Sequence, residues 1–137
     1  DYIVVGEARV IDIALSVDLI LEEAANEGSI ITNIITQISD YFAVDKLELG
    51  EDLTLGRLVS FIMTQPGVLN LVNIEVFNKV GGNYSQSMST QPYINATTKQ
   101  IGLIDDTIYA QPNEILQIRY PNKDISIRFK KPSKPVF

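Results

Sequence analysis

A chain of 137 residues, 45% apolar and 20% charged with only 8 Gly and 6 Pro, has the size and make-up of one domain with a real core. That composition excludes a collagen, a coiled-coil rod and low-complexity disorder. Neither Cys nor His occurs, which removes disulfide scaffolds, thiolate zinc sites, cysteine nucleophiles and the usual general base together.

The net charge of −6 is unevenly spread. Residues 1–55 hold twelve acids against two bases, whereas from residue 56 onward nine bases face five acids and crowd toward the end as Arg119, Lys123, Arg128, Lys130, Lys131 and Lys134. The acidic half would repel phosphate, so no nucleic-acid partner is expected. No run of about 18 apolar residues exists, and no membrane contact is expected. The chain opens on Asp1 without a basic leader, which reads as a piece of a longer protein cut at a domain edge. The charge pattern reads as a solvated surface with a basic tail; the alternative is that the acidic half and the basic end meet across copies or partners, where complementary potentials set register.

From Arg9 to Leu21 every odd position from Ile11 on is apolar, and the even ones include Asp12, Ser16 and Asp18. Period two over that length predicts a long, half-buried strand. After the break at Asn26-Glu27-Gly28-Ser29, Ile30, Ile31, Ile34, Ile35, Ile38, Tyr41 and Phe42 fall on one helical stripe, with Ser29 or Asn26 as N-cap. So many isoleucines are poor helix formers, and tertiary burial must hold the helix. Leu47-Glu48-Leu49-Gly50-Glu51-Asp52 reads as a turn or edge strand. Thr54 or Asp52 then caps a second helix with Leu55, Leu58, Val59, Ile62 and Met63 on one stripe, ending at Pro66-Gly67.

Val68 to Val80 reads as a strand with Val68, Val72, Ile74, Val76 and Val80 on its buried face. Residues 81–100 are polar and turn-rich, an exposed excursion whose Tyr84, Met88 and Tyr93 are candidate partner contacts. Those tyrosines could equally pin the loop to its own domain. Ile101 to Tyr109 is expected to form a short strand around Asp105-Asp106. Glu114 to Tyr120 and Asp124 to Lys130 alternate and are joined by Pro121-Asn122-Lys123, which predicts a β-hairpin.

Chemistry-bearing patterns are missing from the sequence: it has no phosphate-cradling glycine loop, no Gly-x-Ser-x-Gly and no metal-binding pair. The adjacent acids Glu51-Asp52 and Asp105-Asp106 read as turn or cap residues. The sequons at Asn83-Tyr84-Ser85 and Asn95-Ala96-Thr97 read as chance matches in a polar loop. No enzyme, cofactor, metal or small-molecule substrate is expected.

The first strand with Val5-Gly6-Glu7-Ala8-Arg9-Val10, the helix ending Ile38-Ser39-Asp40-Tyr41-Phe42, the Leu47–Asp52 turn and the helix running into Pro66-Gly67-Val68 resemble the C-terminal part of baseplate J-like proteins. The stretch from Asp106 to Glu114, with Arg119-Tyr120-Pro121 and Asp124-Ile125, looks closer still to the large wedge subunit of T4-type contractile-tail phages. The resemblance implies a non-enzymatic virion protein, assembled in the host cytoplasm, that contacts other copies of itself and other wedge proteins around the tail hub. It defines no individual contact residue; on charge alone, Arg128, Lys130 and Lys131 join the candidate contacts.

The expected fold is therefore α+β, with two amphipathic helices packed on a mainly antiparallel sheet and a C-terminal β-hairpin. Residues 1–80 would form the strand-helix-helix-strand core, 81–100 the excursion and 101–137 a β-rich segment with a basic tail. The alternative function is a recognition domain, an adhesin or carbohydrate-binding module, using the excursion.

Overall fold

Alternation along Arg9–Leu21 produces the strand it predicts, β1, in a computed structural model that describes residues 8–42 and 48–130. Ile11, Ile13, Leu15, Val17, Leu19 and Leu21 are all buried on one face. That face is covered by α1 (Glu27–Tyr41) and α2 (Leu55–Met63), which contribute Ile30, Ile34 and Ile38 and Leu55, Leu58 and Ile62 to the same core. Burial offsets the poor propensity of the isoleucines, each fully buried side chain contributing about 1.5–3 kcal/mol. Tyr41 meets Phe61 edge-to-face at 6.1 Å and ties the helices to each other.

The caps resolve two open choices. Asn26, not Ser29, caps α1, its Oδ1 accepting from the Ser29 amide at 3.0 Å. Thr54 holds the N-cap position of α2 without a side-chain bond; the first amide, Leu55 N–H, donates to the Asp106 carbonyl at 2.9 Å. Asp52 Oδ1 accepts instead from Ala110 N–H at 2.8 Å. The turn that follows α2 requires Gly67, at φ +92°, because a Cβ there would stand 3.0 Å from Ala25 Cβ and 3.1 Å from Ile30 Cδ1.

β3 (Val68–Lys79) runs antiparallel to β1, from Asp12 opposite Lys79 to Leu21 opposite Val68. Its faces depart from strict alternation. Asp18 and Leu19 are neighbours in β1, yet they pair with Asn73 and Leu71, which leaves Val72 as an extra residue; Ile20 and Leu21 pair with Asn70 and Val68, which leaves Leu69 over. Two β-bulges three residues apart therefore put Val68, Leu71 and Ile74 toward the core and Asn70 and Asn73 on the other face. The expected burial of Val72 is corrected accordingly: it is 44% exposed and Leu69 is 49% exposed.

β5 (Glu114–Gln117) and β6 (Ile125–Lys130) are both present where two C-terminal strands were predicted, but they do not pair as a hairpin. Both lie parallel to β1 on the edge away from β3, one after the other, with Arg9–Asp12 opposite β5 and Leu15–Ile20 opposite β6. Between Asp12↔Gln117 and Leu15↔Ile125, β1 advances three residues while its partner advances eight. The surplus bulges out as the helical turn α3 (Pro121–Asp124), so Pro121 starts a detour within one row of the sheet and the chain direction is kept. The main sheet is thus mixed. With the short pair β2 (Leu53–Thr54) and β4 (Thr107–Ile108), antiparallel pairing stays in a small majority.

The strand expected over residues 101–109 is shortened to β4, and a tight turn precedes it. Asp105 and Asp106 both have positive φ, 52° and 54°, between Ile104 and Thr107, which exchange backbone hydrogen bonds. Short acids tolerate this geometry, and the exposed pair is structural.

The segment 81–100 is likewise not a free excursion. Ser85 N–H donates to Asp12 Oδ2 at 2.7 Å, Ser89 N–H to Asn78 Oδ1 at 2.6 Å, and Gln91 bonds Gly102, Thr107 and Tyr109. Side chains projecting from the strands give this polar loop the partners it lacks in its own sequence. Only its later part, 95–98, is fully exposed over several residues.

Candidate functional site

The face of the sheet opposite the helices carries the even positions of β1, and two of its acids are buried there. Asp12 has no exposed surface; Gln117 Nε2 donates to its Oδ1 at 2.6 Å, and Arg119 Nε donates to Oδ2 at 3.2 Å. Asp18 is nearly as enclosed, with Arg128 Nε donating to Oδ1 at 2.7 Å and Lys130 Nζ 3.9 Å from Oδ2. Arg128 also reaches Ser16 Oγ at 3.2 Å and stands 4.0 Å from Glu75. A third pair, Arg9 Nη1 to buried Glu114 Oε2 at 3.0 Å, closes the end of the sheet where β1 and β5 begin. A buried carboxylate left unpaired is costly, so these bases complete the fold first.

The acidic half and the basic end therefore meet within one chain, at Asp12–Arg119 and Asp18–Arg128, in addition to whatever contacts they make between chains. Of the candidate contacts, Arg128 and Lys130 are brought together over Asp18. Lys131 lies outside the described residues, as do Val5, Gly6, Glu7 and Leu47 of the sequence resemblance.

Tyr84, Met88 and Tyr93 do not converge. The Met88 carbonyl accepts from Arg9 Nη2 at 2.7 Å, which anchors the loop rather than presenting it. Tyr93 is 66% exposed beside a shallow hollow of about 430 Å³ that it shares with Asn95 and Gln100. Tyr84 is half-buried, and its O–H donates to Asp124 Oδ1 at 2.9 Å. Burial pushes the phenol up to about 12, helped by the hydrogen bond to Asp124 and its charge.

Around Tyr84 a second group of residues assembles that sequence reasoning did not single out. Tyr120 packs edge-to-face on Tyr84 at 5.6 Å, while Lys79 and Lys123 hold their ammonium groups 5.3 and 5.7 Å from the Tyr84 ring centre. Beside them is a cleft of about 450 Å³ lined by Asn83 and residues 119–123. The surplus between β5 and β6 builds its wall. Asp124, at the end of that surplus, is buried, and its Oδ2 has no hydrogen-bond partner among the described residues. The one signal for this cluster was the linker Pro121-Asn122-Lys123, read as a hairpin turn.

Among the described residues no group of three metal-binding side chains comes together. No protein-family model and no curated protein matches the chain.

Proposed function

We propose that the chain is a non-enzymatic assembly module of a contractile-tail baseplate wedge, contacting other copies of itself and other wedge proteins in the ring around the tail hub. The observation that supports this reading is the outer edge of β3. No strand pairs with it along residues 68–75 among the described residues, and its two bulges extrude Leu69 and Val72 into solvent. Bulges twist an edge away from strand addition, so a partner would bind these side chains rather than extend the sheet. The baseplate assignment itself comes from the sequence resemblance, and the virion is the location it implies.

Light scattering after size exclusion tests the reading, alone and with candidate wedge proteins. The wild-type chain associates, whereas Leu69→Asp with Val72→Asp stays folded by circular dichroism and elutes as a monomer. A monomeric wild type that captures no wedge protein overturns it. A recognition domain is the second reading, favoured by the cleft between Asn83 and residues 119–123, where aromatic and amide groups meet.

A further inference from the structure

The cleft beside Tyr120 combines three kinds of chemistry. Its cations are Lys123, whose Nζ lies 5.7 Å from the Tyr84 ring centre and 5.9 Å from that of Tyr120, and Arg119, whose Nε donates to Asp12; Lys79, 5.3 Å from the same Tyr84 ring, stands outside the lining. Among the described residues neither lysine forms an ion pair. The acids nearby are internal: Asp12 is taken up by Gln117, Arg119 and Ser85, and Asp124 is buried behind the Tyr84 hydroxyl. Positive charge faces solvent.

Asn83 and Asn122 add exposed amides, each offering two donors and an acceptor. Tyr120 and Pro121 add a ring surface between them. A free phosphate or a glutamate carboxylate could accept from the amides but would leave the Tyr120 face idle. We infer that this cleft binds an acidic saccharide, with Lys123 facing its carboxylate, Asn83 and Asn122 pairing its hydroxyls and Tyr120 against its ring. The inference gives a ligand class to the recognition reading and rests on it.

Titration of the folded chain with D-glucuronate, followed through the side-chain amide NMR signals of Asn83 and Asn122, tests it. The expected result is a saturable shift at both amides, with D-glucose binding at least about tenfold more weakly for want of the charge-assisted contact. Lys123→Glu and Asn122→Ala, both at exposed positions, abolish the shift of the Asn83 amide while keeping the wild-type circular dichroism spectrum. Glucose binding as tightly as glucuronate overturns the role of Lys123. Inorganic phosphate or a glutamate peptide matching glucuronate overturns the saccharide while leaving a recognition domain standing. Silence toward every probe removes both.

Discussion

Asp12, which has no exposed surface, accepts a hydrogen bond from Arg119 although 107 residues separate them in the chain. The same carboxylate holds the loop at Ser85 and the end of β5 at Gln117, so one side chain joins three segments. Asp12→Ala leaves three donors without their acceptor, and because the Arg119 left behind is partly exposed, the expected loss is about 1–3 kcal/mol, the cost of stranding a buried polar group. Urea unfolding measures it. A loss below about 0.5 kcal/mol, the surface range, would mean that the carboxylate holds nothing together.

Ile34 and Leu58 face β1 from separate helices, and both are buried. Replacing either with Ala should cost about 2–5 kcal/mol, the transfer loss plus the cavity left behind. Ile31, on the same stripe but only half-buried, should cost less in the same urea experiment. Equal losses at Ile31 and Ile34 would mean that α1 is rotated from the orientation described.

How far the fold was legible follows from what each pattern encodes. Period two in β1 and the apolar stripes of α1 and α2 report which face is buried; Ile30, Ile34, Ile38, Leu55, Leu58 and Ile62 enter the core, whereas Ile31 and Val59 lie at its margin and Met63 at the end of α2 is exposed. The same alternation assigns Asp12 to the other face but cannot tell that a polar loop will cover it. Pro121 marks a break in extended chain; whether the chain then reverses depends on a partner strand far away, and the parallel edge of β1 kept it in one row. The cleft was illegible for a related reason. Tyr84, Tyr120 and Lys79 stand on three separate segments, and no spacing links them. The bulges, by contrast, are written in Val68-Leu69-Asn70-Leu71-Val72-Asn73-Ile74, a three-residue rhythm of core residue, extra residue and Asn that a search for strict alternation passes over.

That rhythm has a consequence for deletions. Removing Val72 leaves Leu71 next to Asn73, opposite the adjacent Leu19 and Asp18 they already pair with, so the register on both sides survives. The expected cost stays within about 3 kcal/mol. Removing Val76 instead moves every residue on one side of the gap to the wrong face, and the chain should not fold. Circular dichroism and thermal melting of the two deletions separate these outcomes. A Val72 deletion as damaging as that of Val76 would rule out the bulge at this position.

The Tyr84 phenol, raised from 10.0 to about 12 by burial and by its hydrogen bond to Asp124, makes stability depend on alkaline pH. Between those two values the folded chain keeps a proton that the unfolded chain has lost, so stability falls as pH rises. The contribution is complete below the unfolded pKa near 10 and is lost as pH passes through about 12. Tyr84→Phe has no such proton and strands Asp124 without its only hydrogen-bond donor among the described residues. It should therefore be less stable than wild type at about pH 9, with the gap narrowing by about pH 11.5 as the wild-type advantage titrates away. Urea unfolding at the two pH values decides the matter: a gap of constant size would mean that the Tyr84–Asp124 bond does not distinguish the folded from the unfolded chain.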